Sequence, residues 1–348
     1  MLTRPPLLFL AAAALFAALS AFASAVEPSD DSGPRRLDPG LPRFEARETL
    51  EGRLISVGSD TLNNLMTLWF EILSERHPKT RLEIEGKGSR TALSALLGRT
   101  ADLGPTSRPY KPEEVAAFRE RFGREPAQLR VAIDALAVFV HPENPVAERG
   151  LTLQELDAIF SSTRKRGGMI DIRTWGDLGI EEEAWRDKPI QLYGRNSASG
   201  TYGFFKMTAL QGGDFKNNVI EQPGSSSVVH SVGRDRYGIG YSGIGYQSDD
   251  VAVVPLAEEN LMHTVPPTPA NSRVGRYPLS RFLLVTLDYD PERGLSPETL
   301  EFFRLVYSRE GQEVVLRDGY TPLDFATARA EAAKLGITLA PALDEPSE

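Results

Sequence analysis

Cysteine is absent from the 348 residues, which excludes disulfides, thiolate metal sites and a lipid-modified N-terminal cysteine. Histidine is scarce: His77, His141, His230 and His263 are scattered without ligand spacing, so nothing indicates a metal site. An excess of positive charge is missing too. The net charge of −9 argues against a nucleic-acid partner and means that any anion site must be built locally, against the field of the whole molecule. Beyond the N-terminus no apolar run is long enough to span a bilayer. What is present, 41% hydrophobic and 25% charged residues, is the balance of a soluble globular protein, in a chain long enough for two domains.

Residues 1–25 read as a secretory signal. Arg4 supplies the positive start, Leu7 to Phe22 is apolar and alanine-rich, and Ala23-Ser24-Ala25 is a small-residue cleavage site. The apolar run is short for a transmembrane anchor, so the mature chain is expected outside the cytoplasm. Residues 26–50, polar and with several prolines, are expected to form a disordered leader, and residues 341–348 a disordered tail.

The core of the chain repeats one unit: a short strand, a loop of small and hydroxyl residues, then a helix pattern. Residues 52–57 lead through Gly58-Ser59-Asp60-Thr61 into a helix from Leu62 to Arg76, with Asp60 or Ser59 as its N-cap. Residues 81–85 lead through Gly86-Lys87-Gly88-Ser89 into a second helix, and Pro105-Thr106-Ser107-Arg108-Pro109 forms a third loop before a helix from Pro112 to Phe122. The fourth and richest loop is Arg195-Asn196-Ser197-Ala198-Ser199-Gly200-Thr201, between a strand at residues 189–193 and an apolar helix from Tyr202. The first N–H groups of a helix have no partner within it and, with the helix dipole, favour an anion. Gly200 lets an oxyanion approach the backbone, Ser199 and Thr201 add hydroxyls, and Arg195 adds a planar fork. Alternating strands and helices predict a mainly parallel sheet, with these loops converging at the carboxyl ends of its strands. Gly224-Ser225-Ser226-Ser227 reads either as another helix N-cap or as a lining of the cleft. Trp175 and Trp185 read as packing residues, and Arg164-Lys165-Arg166 as a solvated basic loop.

On these segments, in this order, together with Gly238-Ile239-Gly240-Tyr241 and Tyr277-Pro278-Leu279-Ser280-Arg281, the chain resembles the periplasmic phosphate-binding proteins of ABC phosphate importers, the PstS family. The resemblance runs from about Gly52 to Pro322. It implies an α/β, two-lobed periplasmic binding protein fold (type II) with two crossing hinge strands: residues 51–133 with 277–340 as the first lobe and residues 134–276 as the second. Residues 131–140 suit the outward crossing and residues 277–287 the return. It further implies ligand contacts from Thr61, Ser89, Ser107, Arg195, Ser199, Gly200 and Thr201, with Ser59 and Arg108 as further candidates, and Arg195 as the full positive charge. The expected partners are inorganic phosphate and the membrane permease of an ABC importer. The chain is expected to act as a periplasmic monomer that needs no cofactor or metal.

Two positions depart from the best-known members. Ser107 stands where they carry an Asp that accepts the proton of a protonated phosphate oxygen, and Ser197 stands where an Asp often pairs with the signature Arg. A hydroxyl discriminates less than a carboxylate, and an inward Arg108 would favour the dianion, so the expected preference shifts toward dibasic phosphate and tolerates other tetrahedral oxyanions. Two other functions carry their own requirements. A sensor or scavenger would use the same cleft without a permease. A hydrolase with Ser199 as nucleophile needs a base, and no histidine lies in the motif loops.

Overall fold

The computed structural model describes residues 37–46 and 49–342. The expected signal at residues 1–25, residues 26–36 of the leader and residues 343–348 of the tail lie outside them. Among the described residues no helix is long and apolar enough to cross a membrane.

The strand Ala127–Val140 organises the rest. Its near-continuous apolar sequence suits a strand covered on both faces. Residues Ala127–Ala135 pair antiparallel with the return strand Ser280–Leu287, and residues Leu136–Val140 pair antiparallel with Gly238–Gly243. The core changes hands at the same point. Leu129, Val131, Ala132 and Ile133 belong to one apolar cluster with Trp69, Phe302 and Tyr307; Ala135, Leu136 and Val138 belong to another with Phe160, Trp175 and Phe205. Asp134 sits between them, fully buried.

The sheet through this crossing is mixed rather than mainly parallel. Its order is Gly104–Thr106, Ser280–Leu287, Ala127–Val140, Gly238–Gly243, Gln191–Arg195, Ile220–Gln222. The strand–loop–helix units do pair in parallel, as in Arg53–Val57 with Arg81–Glu85 and Gln191–Arg195 with Gly238–Gly243. The antiparallel pairs arise because the chain leaves one core and must return to it, which a unit-by-unit reading of periodicity does not register.

Within the first core the helix Asn63–Arg76 buries Leu65, Met66, Trp69, Phe70 and Leu73 at helical spacing. The leader expectation is corrected in part. Residues 37–46 are packed on this core: Leu41 is buried, Pro42 accepts from the Arg309 amide, and the Phe325 amide donates to Asp38. An apolar Leu-Pro pair inside a polar stretch found a hydrophobic seat, which average composition obscured. Pro341 and Ala342 are also placed, with the Ala342 amide donating to Gly40. Trp175 and Trp185 pack edge to face as core residues.

Asp318 lies where the first core meets the turn at Gly245, with Asn64 donating to its carboxylate. Burial pushes its carboxyl up to about 6, against opposing pulls from Asn64 and Arg317. The folded value exceeds the ordinary value of about 3.9, so the folded chain holds a proton that the unfolded chain releases. This contribution therefore strengthens as pH falls through about 6 and is lost as pH rises. Discounted for partial exposure, Asp318→Asn is expected to gain about 1–2 kcal/mol at neutral to alkaline pH. The gain should vanish in acid, below the unfolded carboxyl value. Thermal melts across pH test this, and a gain of equal size in acid would refute it.

Candidate functional site

Three loops of the first lobe are tied together by backbone hydrogen bonds at the ends of their strands. The Gly58 amide donates to Glu85, the Gly88 amide to Gly58, and the Ser59 amide to Pro105, all at 2.8–2.9 Å. Gly88 has φ +118°, and a Cβ there would lie 2.7 Å from the carbonyl oxygen of Ala198 in the opposite lobe, so only glycine fits both conformation and contact. The Arg90 amide donates to the same carbonyl.

The predicted hydroxyls meet at this contact. Thr61 Oγ1 and Thr201 Oγ1 are 3.0 Å apart, and Ser89 Oγ and Ser107 Oγ 3.3 Å, with the Ser107 amide donating to Ser89 Oγ. Gly200 lies against the second pair: a Cβ there would come within 2.3 Å of Ser89 Oγ and 2.6 Å of Ser107 Oγ. Gly200 opens the helix Gly200–Thr208, so the helix N-terminus lies at this cluster. Ser199 is the N-cap, accepting from the Thr201 amide; among the described residues no histidine bonds to it. Ser59 is buried beside the cluster, but caps no helix through its side chain.

Neither Ser59 nor Asp60 caps a helix through its side chain, and the Asp60 carboxylate is used elsewhere. Its Oδ2 accepts from the Ser225 amide at 2.8 Å and lies 3.3 Å from Arg195 Nη1. Asp60, from the other lobe, thus pairs with Arg195. Arg195 is buried at the end of its strand; Nη1 donates to Ser225 Oγ at 2.6 Å and Nη2 to the Pro223 carbonyl. Burial draws its pKa down, with Asp60 opposing. The Ser225 hydroxyl therefore receives Arg195 and does not cap its helix. Behind the first loop, Tyr320 donates to the Thr61 carbonyl and Tyr246 to that of Asp60.

The structure decides where the candidate Arg108 is turned. Among the described residues Arg108 makes no hydrogen bond to these hydroxyls. Both its Nη atoms donate to the Glu114 carboxylate, at 2.6 and 2.8 Å, and Nη1 also bonds the Pro109 carbonyl. Burial would raise the Glu114 carboxyl, but the Arg108 hydrogen bonds, the Lys111 amide and the two positive charges together outweigh it and hold it below the usual range. Glu114 lies six residues on, in the first turn of the helix Pro112–Phe122, a spacing the sequence displays but does not single out. A second buried guanidinium bonds the cluster. Arg281, buried on the return strand, donates to Thr201 Oγ1 at 2.9 Å and to the Ser107 carbonyl at 3.0 Å. Its signal was the Tyr277–Arg281 segment, whose arginine had no assigned part.

A family profile described as a PBP superfamily domain matches residues 45–310. A phosphate-binding protein PstS of Pseudomonas aeruginosa is 47% identical over 323 residues, 93% of this chain and 98% of the relative. A solved phosphate ABC transporter substrate-binding protein from Clostridium perfringens, with bound phosphate, superposes with a TM-score of 0.65 at 25% identity, over 78% of this chain and 100% of that one. An ABC-type phosphate transport receptor from Vibrio cholerae shares the fold at 22% identity and TM-score 0.60, over 78% and 100%. With its two lobes and its crossing strands, this chain belongs to the PBP superfamily and, within it, to the PstS family of phosphate-binding proteins.

Proposed function

We propose that the chain is a periplasmic monomer that captures inorganic phosphate between its lobes and delivers it to the membrane permease of an ABC importer. The observation that carries this reading is the convergence of loops from both lobes: Thr61, Ser89 and Ser107 from one, Ser199, Gly200 and Thr201 from the other, with Arg195 paired to Asp60 next to Thr61. The relatives named above support the ligand and the transport role.

Burying a bare anion is prohibitive unless hydrogen bonds replace its water. Bonds to a charged group contribute about 1.5–3 kcal/mol each, and helix N-termini about 0.3–2 kcal/mol. Several of each suffice for micromolar or tighter binding, near about −8 kcal/mol. Because the donors are divided between residues 51–133 with 277–340 and residues 134–276, binding completes only on closure about the crossing strands. The closed form is then the species a permease would recognise.

Calorimetric titration of the phosphate-stripped protein with phosphate, arsenate and sulfate tests the reading. Micromolar or tighter phosphate binding, with one site per chain, is the expected result. Failure of all three oxyanions to bind would refute it.

A further inference from the structure

Arg281 stands directly opposite Asp134 in the antiparallel pairing of the two crossing strands, where the long strand passes from one core to the other. Nε and Nη2 donate to Asp134 Oδ2 at 2.9 and 2.7 Å, and the amide of Ile244 donates to Oδ1. The same guanidinium reaches a loop of each lobe, bonding the Ser107 carbonyl through Nη1 and Thr201 Oγ1 through Nη2. Its Cζ lies 5.2 Å over the Phe204 ring. Both charged groups are buried.

We propose that Arg281 is the second cation of the anion site and sets the charge of the anion the cleft prefers, favouring a dianion over a monoanion. The proposal rests on the phosphate-capture reading and extends it to selectivity. The role expected of an inward Arg108 passes to a residue far away in sequence, on the hinge.

The donors and acceptors make the case. Thr201 Oγ1 accepts from Arg281, so its own proton points elsewhere, toward Thr61 Oγ1 or toward an acceptor oxygen seated there. A hydroxyl polarised by a guanidinium donates more strongly to a more highly charged oxygen. A protonated ligand oxygen would instead need an acceptor. The carboxylates facing the cluster are Asp60 and Asp134, and each already holds a guanidinium and a backbone amide. Arg195 balances Asp60, and Arg281 balances Asp134, so the site does not repel a second negative charge. The other titratable groups facing Arg281 leave this balance unchanged. Tyr246 and Tyr320 are held neutral by burial, and Arg108 is matched by Glu114. Asp318, beyond Tyr320, titrates near 6 and is replaced by Asn in a control background.

Phosphate affinity is measured from about pH 5 to about pH 9, spanning its second ionisation, alongside sulfate, which stays a dianion throughout. The proteins are the parent chain, Arg281→Met and Arg281→Met/Asp134→Asn, each with and without Asp318→Asn. Arg281→Met alone leaves Asp134 buried without its counter-ion and is expected to fold poorly; the double variant removes both charges and keeps the comparison valid. For the parent, phosphate affinity is expected to rise as the dianion forms. In the double variant the affinity should fall about 10- to 100-fold at the alkaline end and much less at the acid end, flattening the profile. Sulfate should lose the same factor at every pH. A folded double variant that keeps the parent's pH profile overturns the proposal and leaves Arg281 a structural hinge residue. A parent protein that binds neither anion refutes the capture reading itself.

Discussion

Arg195→Ala is expected to lower phosphate affinity by more than about 100-fold, which corresponds to about 2.7 kcal/mol or more. Two effects add. The variant loses a guanidinium whose hydrogen bonds to a charged group are worth about 1.5–3 kcal/mol each. It also leaves the Asp60 carboxylate beside Thr61 held by the Ser225 amide without its guanidinium, so a negative charge now faces the incoming anion. Stability should drop as well, by about 2–3 kcal/mol, below the usual cost of breaking a fully buried pair because Asp60 is partly exposed. The two losses separate in Arg195→Met/Asp60→Asn, where the melting temperature should recover while phosphate binding does not. Titration and melting of both variants check this. Arg195→Ala protein that binds phosphate within about threefold of the parent would remove Arg195 from the site.

Gly200→Ala is expected to cost a comparable factor in affinity, about 100-fold, with little change in the stability of the protein without ligand. The new Cβ would lie 2.3 Å from Ser89 Oγ, 2.6 Å from Ser107 Oγ and 2.9 Å from Ser89 Cβ. Hydroxyls can turn away, but the Ser89 Cβ cannot, so the helix end must back off from the first lobe. Alanine is a better helix former than glycine, and Gly200 is helical with no positive φ, so the helix itself should not suffer. The damage is confined to closure. A titration with unchanged affinity, or a melting temperature lowered as much as by a core cavity, would contradict this account. The two variants also differ in signature: Arg195→Ala removes charge and weakens the fold, whereas Gly200→Ala keeps every charge and blocks the approach.

Much of the site was legible because its parts are local. The spacing of Leu65, Trp69 and Leu73 marks a helix wherever the chain is placed, and a serine and glycine before an apolar run mark a helix start. The same locality explains the misses. Asp60 precedes a helix and so looked like a cap, yet its carboxylate is drawn to Ser225 and Arg195 of the other lobe. Ser225 opens a helix and so looked like a cap, yet its hydroxyl receives Arg195. A short polar side chain can satisfy its own backbone or reach across, and only the neighbouring lobe decides between these.

The sequence alone determined the repeated strand–loop–helix units, the loops that bear hydroxyls, and the lack of cysteine or clustered histidine that excludes thiolate chemistry and gives no sign of a metal site. Those follow from composition and from periodicities of a few residues. The tertiary structure decided which charges stand opposite which: Asp60 with Arg195, Asp134 with Arg281, and Arg108 turned to Glu114. The physical reason is that a buried guanidinium must find a counter-ion within a few ångströms. That distance is set by where the two crossing strands come into register, with Arg281 opposite Asp134, and no pattern along the chain records it.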